Sequence, residues 1–91
     1  MTAPTRARLS ADHALEVVRT AVAVVCERPQ DEVTAGSQLA DLGVDSLARV
    51  AMAEIVEQEL AAWLPGLSIG DAELGAFATP RDVVDYVMVL L

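Results

Sequence analysis

The stretch Leu39-Ala40-Asp41-Leu42-Gly43-Val44-Asp45-Ser46-Leu47 reads as a tight turn that delivers a hydroxyl to the start of a helix. Asp45 is a favoured N-cap type, and its side-chain oxygen is expected to accept from the backbone N–H of Leu47 or Ala48. The pattern beyond it predicts a helix to about Leu60. Ser46 is then the first helical residue. Its side chain leaves the protein where unpaired backbone N–H groups and the positive end of the helix dipole face solvent, a position suited to a phosphate anion. Gly43 is expected to take a backbone conformation that a side chain would make costly.

On these residues the chain resembles the acyl carrier protein family, which includes the peptidyl carrier domains of peptide synthetases. The family motif Asp-Ser-Leu, preceded by Leu-Gly and one variable residue, stands here as Leu42-Gly43-Val44-Asp45-Ser46-Leu47. A tripeptide alone recurs by chance, but the resemblance extends from about Leu15 to Val87. It implies that Ser46, flanked by Asp45 and Leu47, receives a 4′-phosphopantetheine arm from coenzyme A, whose terminal thiol holds an acyl group as a thioester. It also implies that Asp45 helps hold a metal transiently in the complex with the modifying transferase, with no resident metal site.

Along the helix that starts at Asp45, Met52, Val56 and Leu60 are four apart and, with Ala53, predict the core face. Leu47, Val50, Ala51, Glu54, Glu57 and Gln58 cover the opposite and flanking surface. By charge pattern alone Glu54 and Glu57 are an ordinary solvated face. The resemblance makes this the recognition helix, with Leu47 and Val50 as an apolar contact beside the arm and Glu54 and Glu57 as salt-bridge partners for basic enzymes. Ala48, Arg49 and Ala51 stand where many free-standing carriers have acidic or hydroxyl residues. Asp45, four residues before Arg49, is its expected carboxylate partner.

Before the motif, Leu15, Val18, Val22 and Val25 recur at steps of three and four and predict a helix from Ala11 to about Glu27, with Ser10 as N-cap and Pro29 as terminator. Glu16, Arg19 and Glu27 mark its wetter side. Its valine content lowers intrinsic propensity, so it depends on packing. A loop follows, and by resemblance Val33, Leu39 and Leu42 pin it to the core. After the motif helix, residues 61–78 form a long, apolar, turn-rich connection in which Trp63 closes the lower end of the core. One short helical turn is expected from Asp71, as cap, to Gly75. Thr79-Pro80-Arg81-Asp82 starts a last helix, with Val83, Val87 and Leu90 as one stripe and Phe77 stapled to Val83.

The composition limits the function classes. A chain of 91 residues with 54% hydrophobic and 3% aromatic content makes one domain with a core of aliphatic side chains. The net charge of −8, from six basic and fourteen acidic residues, repels nucleic acid and anionic lipid and attracts basic partner surfaces. Cys26 is the only cysteine, so no intramolecular disulfide forms and a reducing compartment is the simpler assumption. It reads as a buried structural residue, with Arg28 pointing to another side. No Gly-rich phosphate loop, CxxC pair or HExxH motif occurs. His13 is the only histidine and lies far along the chain from Ser46, against a Ser-His-Asp hydrolase. No secretory signal or membrane-length apolar run is present, which predicts a cytoplasmic protein.

The fold class expected is all-α, an acyl-carrier-like bundle of three main helices plus one short helix, with residues 1–9 as a disordered tail and 10–91 as a single carrier domain. Starting with Met and ending soon after its last helix, the chain is expected to be a free-standing, monomeric acyl carrier of polyketide or related specialised biosynthesis. It is not an enzyme. The partners implied are a phosphopantetheinyl transferase and ketosynthase, acyltransferase or other acyl-loading enzymes with basic patches. The alternatives are a peptidyl or aryl carrier of nonribosomal peptide synthesis, and an unmodified helical adaptor that binds through Leu47, Val50 and Glu54.

Overall fold

Three side-chain caps set the starts of the longer helices. In the computed structural model, which describes residues 8–91, these are α1 (Ala11–Cys26), α2 (Ser46–Glu59) and α4 (Pro80–Val89), with a short α3 (Asp71–Ala76) between the last two. Ser10 Oγ accepts from the His13 N–H at 3.0 Å, and Asp45 Oδ1 from the Ala48 N–H at 2.8 Å. Thr79 Oγ1 accepts from the Asp82 N–H at 3.2 Å, while Asp82 Oδ2 accepts back from the Thr79 N–H at 3.1 Å, closing a capping box. Pro80 fits the first position of α4 because no donor is needed there. The all-helical class expected from the sequence is the one observed.

Two helix boundaries are made by residues other than those expected. Glu27, not Pro29, stops α1, because Glu27 turns left-handed at φ 54° and its N–H and that of Arg28 satisfy carbonyls of the last turn. The cap of α3 is Gly70, with Asp71 already helical, and the helix runs through Gly75 to Ala76. A carboxylate inside a first turn is as favourable to the dipole as one before it.

The core is built on α1, which packs against both α2 and α4, while α3 rests on α2. Ala14, Val18, Ala21 and Val22 of α1 meet Met52, Ala53, Val56 and Leu60 from α2 and its end, and Val83, Val84 and Val87 of α4; all are buried. Leu15 and Val25, expected in the α1 stripe, are only half-buried. Ala14 and Ala21 are as fully buried as Val18 and Val22, and their small side chains let the helices approach closely. Leu90, expected in the α4 stripe, is 48% exposed because α4 ends one residue earlier, and Val84 is buried instead.

The first long loop carries a 3-10 turn at Gln30–Glu32. Val33 and Leu39 are buried as pins, as expected, but Leu42 is only half-buried and Val44 is the third pin. The Leu39 N–H donates to Ala78 O at 2.9 Å and the Arg81 N–H to Ala35 O at 3.0 Å, tying this loop to the entry of α4. Arg19, assigned by its charge to the wetter side, is half-buried. Its Nε donates to Val33 O at 2.6 Å and its Nη2 to Gln30 O at 3.0 Å. A long arginine stem can lie along apolar surface while its head serves loop carbonyls.

At the far end, half-buried Trp63 packs on the core and its ring lies 5.2 Å from that of exposed His13. Phe77 is buried, and its resolved aromatic partner is Tyr86, edge-on at 5.6 Å. Of the expected tail, residues 1–7 lie outside the described residues, and Leu9 is buried in the core.

Replacing Thr79 with Ala removes the cap of α4 and is expected to cost about 1 kcal/mol. In a domain of this size that lowers the melting temperature by about 4–8 °C, read by circular dichroism. Asp82→Ala should cost a similar amount, and the double variant less than the sum, because the two residues share one motif.

Candidate functional site

The turn before α2 is fixed by its own backbone. The Leu42 N–H donates to Gln38 O and Leu39 O, the Gly43 N–H to Ala40 O and the Val44 N–H to Leu39 O, all within 3.2 Å. Gly43 sits at φ 84°, where a Cβ would be strained, as anticipated from its place in the turn. Burial of Val44 anchors the exit of the turn. Asp45 then leaves in extended conformation and caps α2. The result is that Ser46, the first residue of α2, is exposed, with its hydroxyl on a rigid support.

Around Ser46 the surface is apolar on one side and grooved on the other. Leu47 is 78% and Val50 42% exposed, which puts two aliphatic side chains on the surface beside the serine. A groove of about 330 Å³ runs between α2 and α3, lined by Ser46, Arg49, Val50, Asp71, Leu74 and Gly75. Glu54 is exposed further along α2. Glu57 is half-buried, and its Oε2 accepts from the Ile69 N–H at 2.7 Å, holding the connection before α3 to the helix.

Arg49 corrects a pairing expected from spacing. Its Nη1 donates to Leu74 O at 2.7 Å and to Phe77 O at 2.6 Å, and no ion pair with Asp45 forms. Asp45 is already occupied by the N-cap bond, whereas carbonyls at the end of α3 lack helical partners and carry the negative end of its dipole. Sequence reading missed this clamp and the α3 wall of the groove, because the contacts span 25 and 28 residues. No local period encodes them.

The residues needed for hydrolysis or metal chemistry are not assembled. His13 packs on Trp63 at the other end of α2, about 20 Å from Ser46 by helix rise. Among the described residues no group of three or more His, Cys, Asp and Glu could hold a metal ion. Cys26 is half-buried rather than buried, and Arg28 lies within electrostatic reach of it. Burial pushes the thiol pKa up, Arg28 partly offsets this, and Asp45 adds to the rise. The thiolate fraction at pH 8 is therefore below that of a free cysteine. Alkylation of Cys26 by iodoacetamide should be slower in the folded chain than in urea, and the difference should shrink as pH rises above the raised pKa.

The family model for the phosphopantetheine attachment site matches residues 16–87 of the chain. Among solved structures, the NMR structure of the HMG-ACPI domain from the CurA module of Lyngbya majuscula is similar with a TM-score of 0.78 and 18% identity. The match covers 100% of this chain and 87% of that one. At that identity the likeness is one of fold. No curated protein matches the sequence.

Proposed function

The chain belongs to the phosphopantetheine-attachment family, and we propose that within it the protein is a free-standing acyl carrier of polyketide or related specialised biosynthesis, with Ser46 as its attachment site. The cofactor of the family is covalent 4′-phosphopantetheine, and the chain is a carrier, not a catalyst. The observation that carries the assignment to Ser46 is its exposed hydroxyl at the first position of α2, on a turn held by Gly43 and capped by Asp45. When attached, the arm supplies a thiol that holds an acyl group as a thioester.

The chain's own residues divide the remaining work. Ser46 Oγ offers the point of attachment and Asp45 keeps the helix start in place. Leu47 and Val50 offer apolar contact beside it, and Glu54 offers negative charge to basic enzymes, with half-buried Glu57, bonded to the Ile69 N–H, behind it on the same helix. The net charge of −8 speeds encounter with such partners: a phosphopantetheinyl transferase first, then ketosynthase, acyltransferase or other acyl-loading enzymes. Tethering a substrate to a small domain raises its effective concentration at each of them. No helix among the described residues is long and apolar enough to cross a membrane.

The test is intact mass after incubation with coenzyme A, magnesium and a broad-specificity phosphopantetheinyl transferase. The parent should gain one phosphopantetheine and folded Ser46→Ala none. No gain in the folded parent with more than one transferase would overturn the reading and favour an unmodified adaptor binding through Leu47, Val50 and Glu54. Charging the modified chain with acyl-loading and with aminoacyl-loading enzymes then separates the acyl from the peptidyl carrier.

A further inference from the structure

We propose that Arg49 is a positioning residue for the phosphodiester at Ser46. Its guanidinium bridges that anion to the carbonyl end of α3, so that modification of the serine tightens α3 onto α2. The inference rests on Ser46 being the attachment site.

Placement is the first support. Ser46 and Arg49 are three residues apart on α2, neighbours on one helix face, and line the same groove with Leu74 opposite. The group bonded to the serine oxygen is the phosphate, so the anion falls within reach of a side chain one turn on. Asp71 also lines the groove, and its carboxylate disfavours an anion on the α3 wall. The α2 wall, with Arg49 and the positive helix end, is left as the place for the phosphate.

The second support is the charge state of the clamp. Arg19, Arg28 and Arg81 pair with Glu16, Glu32 and Asp85 within 3.4 Å. Arg49, half-buried, meets carbonyl oxygens instead. Arg49 keeps its carbonyl partners and takes part in none of these ion pairs, which leaves its charge for an anion bonded at Ser46. The third support is geometry. Both carbonyl bonds come from Nη1, so the Nε and Nη2 edge of the planar guanidinium can donate to two phosphate oxygens while the carbonyls stay bound.

A side chain with three rotatable carbons that serves two acceptors is ordered once for both. Binding at one edge therefore lowers the entropic cost of holding the other, and the coupling is reciprocal. The segment that responds is short. Residues 71–77 are held by α2, by burial of Leu74 and Phe77, by the ring contact of Phe77 with Tyr86, and by this arginine.

Amide hydrogen–deuterium exchange of the apo and phosphopantetheinylated chain, with the ³¹P spectrum of the latter, tests the bridge. In the parent, exchange across residues 71–78 should be about two- to fivefold slower in the modified form, the range for a partly exposed ion pair. Exchange in α4 should be unchanged. In Arg49→Gln the segment should exchange at one rate in both forms, and the ³¹P resonance should move from its parental position. Arg49→Lys, which keeps the charge but lacks the planar fork, should also lose the difference. Equal or faster exchange in the modified parent overturns the proposal without any variant, as does a slowing that persists in Arg49→Gln. A parent that gains no phosphopantetheine by mass overturns the attachment reading itself, an outcome distinct from a modified chain whose exchange does not change.

Discussion

Burial of one face of α1 against two helices at once is the contact on which the rest of the structure depends. Sixteen residues rich in valine make a helix that is marginal alone in water. Val18 and Val22, with Ala14 and Ala21, become stable only when α2 and α4 close over them. The small alanines allow that closure from both sides, and the core then consists of aliphatic side chains with few rings. Because α1 stands between the other two long helices, its packing also sets where the ends of α2 lie.

The loops are then held by charged side chains bonded to backbone groups. Arg19 serves Val33 O and Gln30 O, Arg49 serves Leu74 O and Phe77 O, and the Glu57 carboxylate takes the Ile69 N–H. Each is a charged group partly withdrawn from water and bonded to backbone, the class of hydrogen bond that contributes most, at about 1.5–3 kcal/mol. In a domain too small to bury long loops under apolar cover, these bonds fix the two connections that flank α2. They leave its outer face clear. Leu47, Val50 and Glu54 remain on the surface there, and Ser46 stands at its start.

Exposure of the serine and rigidity of its support are opposing requirements, and the turn before α2 satisfies both. Gly43 supplies the left-handed step, Val44 is driven inward, and Asp45 closes the helix end, so the backbone is determined up to the exposed Ser46. A carrier needs no cleft for chemistry. It needs one accessible hydroxyl in a fixed place and a surface that several enzymes can dock against, which a small acidic bundle provides.

The caps and the periodic faces were legible in the sequence because their causes are local. Ser10, Asp45 and Thr79 act on backbone within three residues, Gly43 acts on its own φ, and Met52, Val56 and Leu60 repeat at the helix period. The place of Ser46 as the exposed first residue of α2 was legible for the same reason. Which apolar residues are buried was decided by tertiary packing: Ala14, Ala21 and Val44 are, while Leu15, Val25 and Leu42 are only half-buried. The roles of Arg19, Arg49 and Glu57 were decided there as well. By sequence alone a charge is assigned to water or to a neighbour on its own helix. Only the folded chain brings unpaired carbonyls and amides from 11 to 28 residues away to meet it.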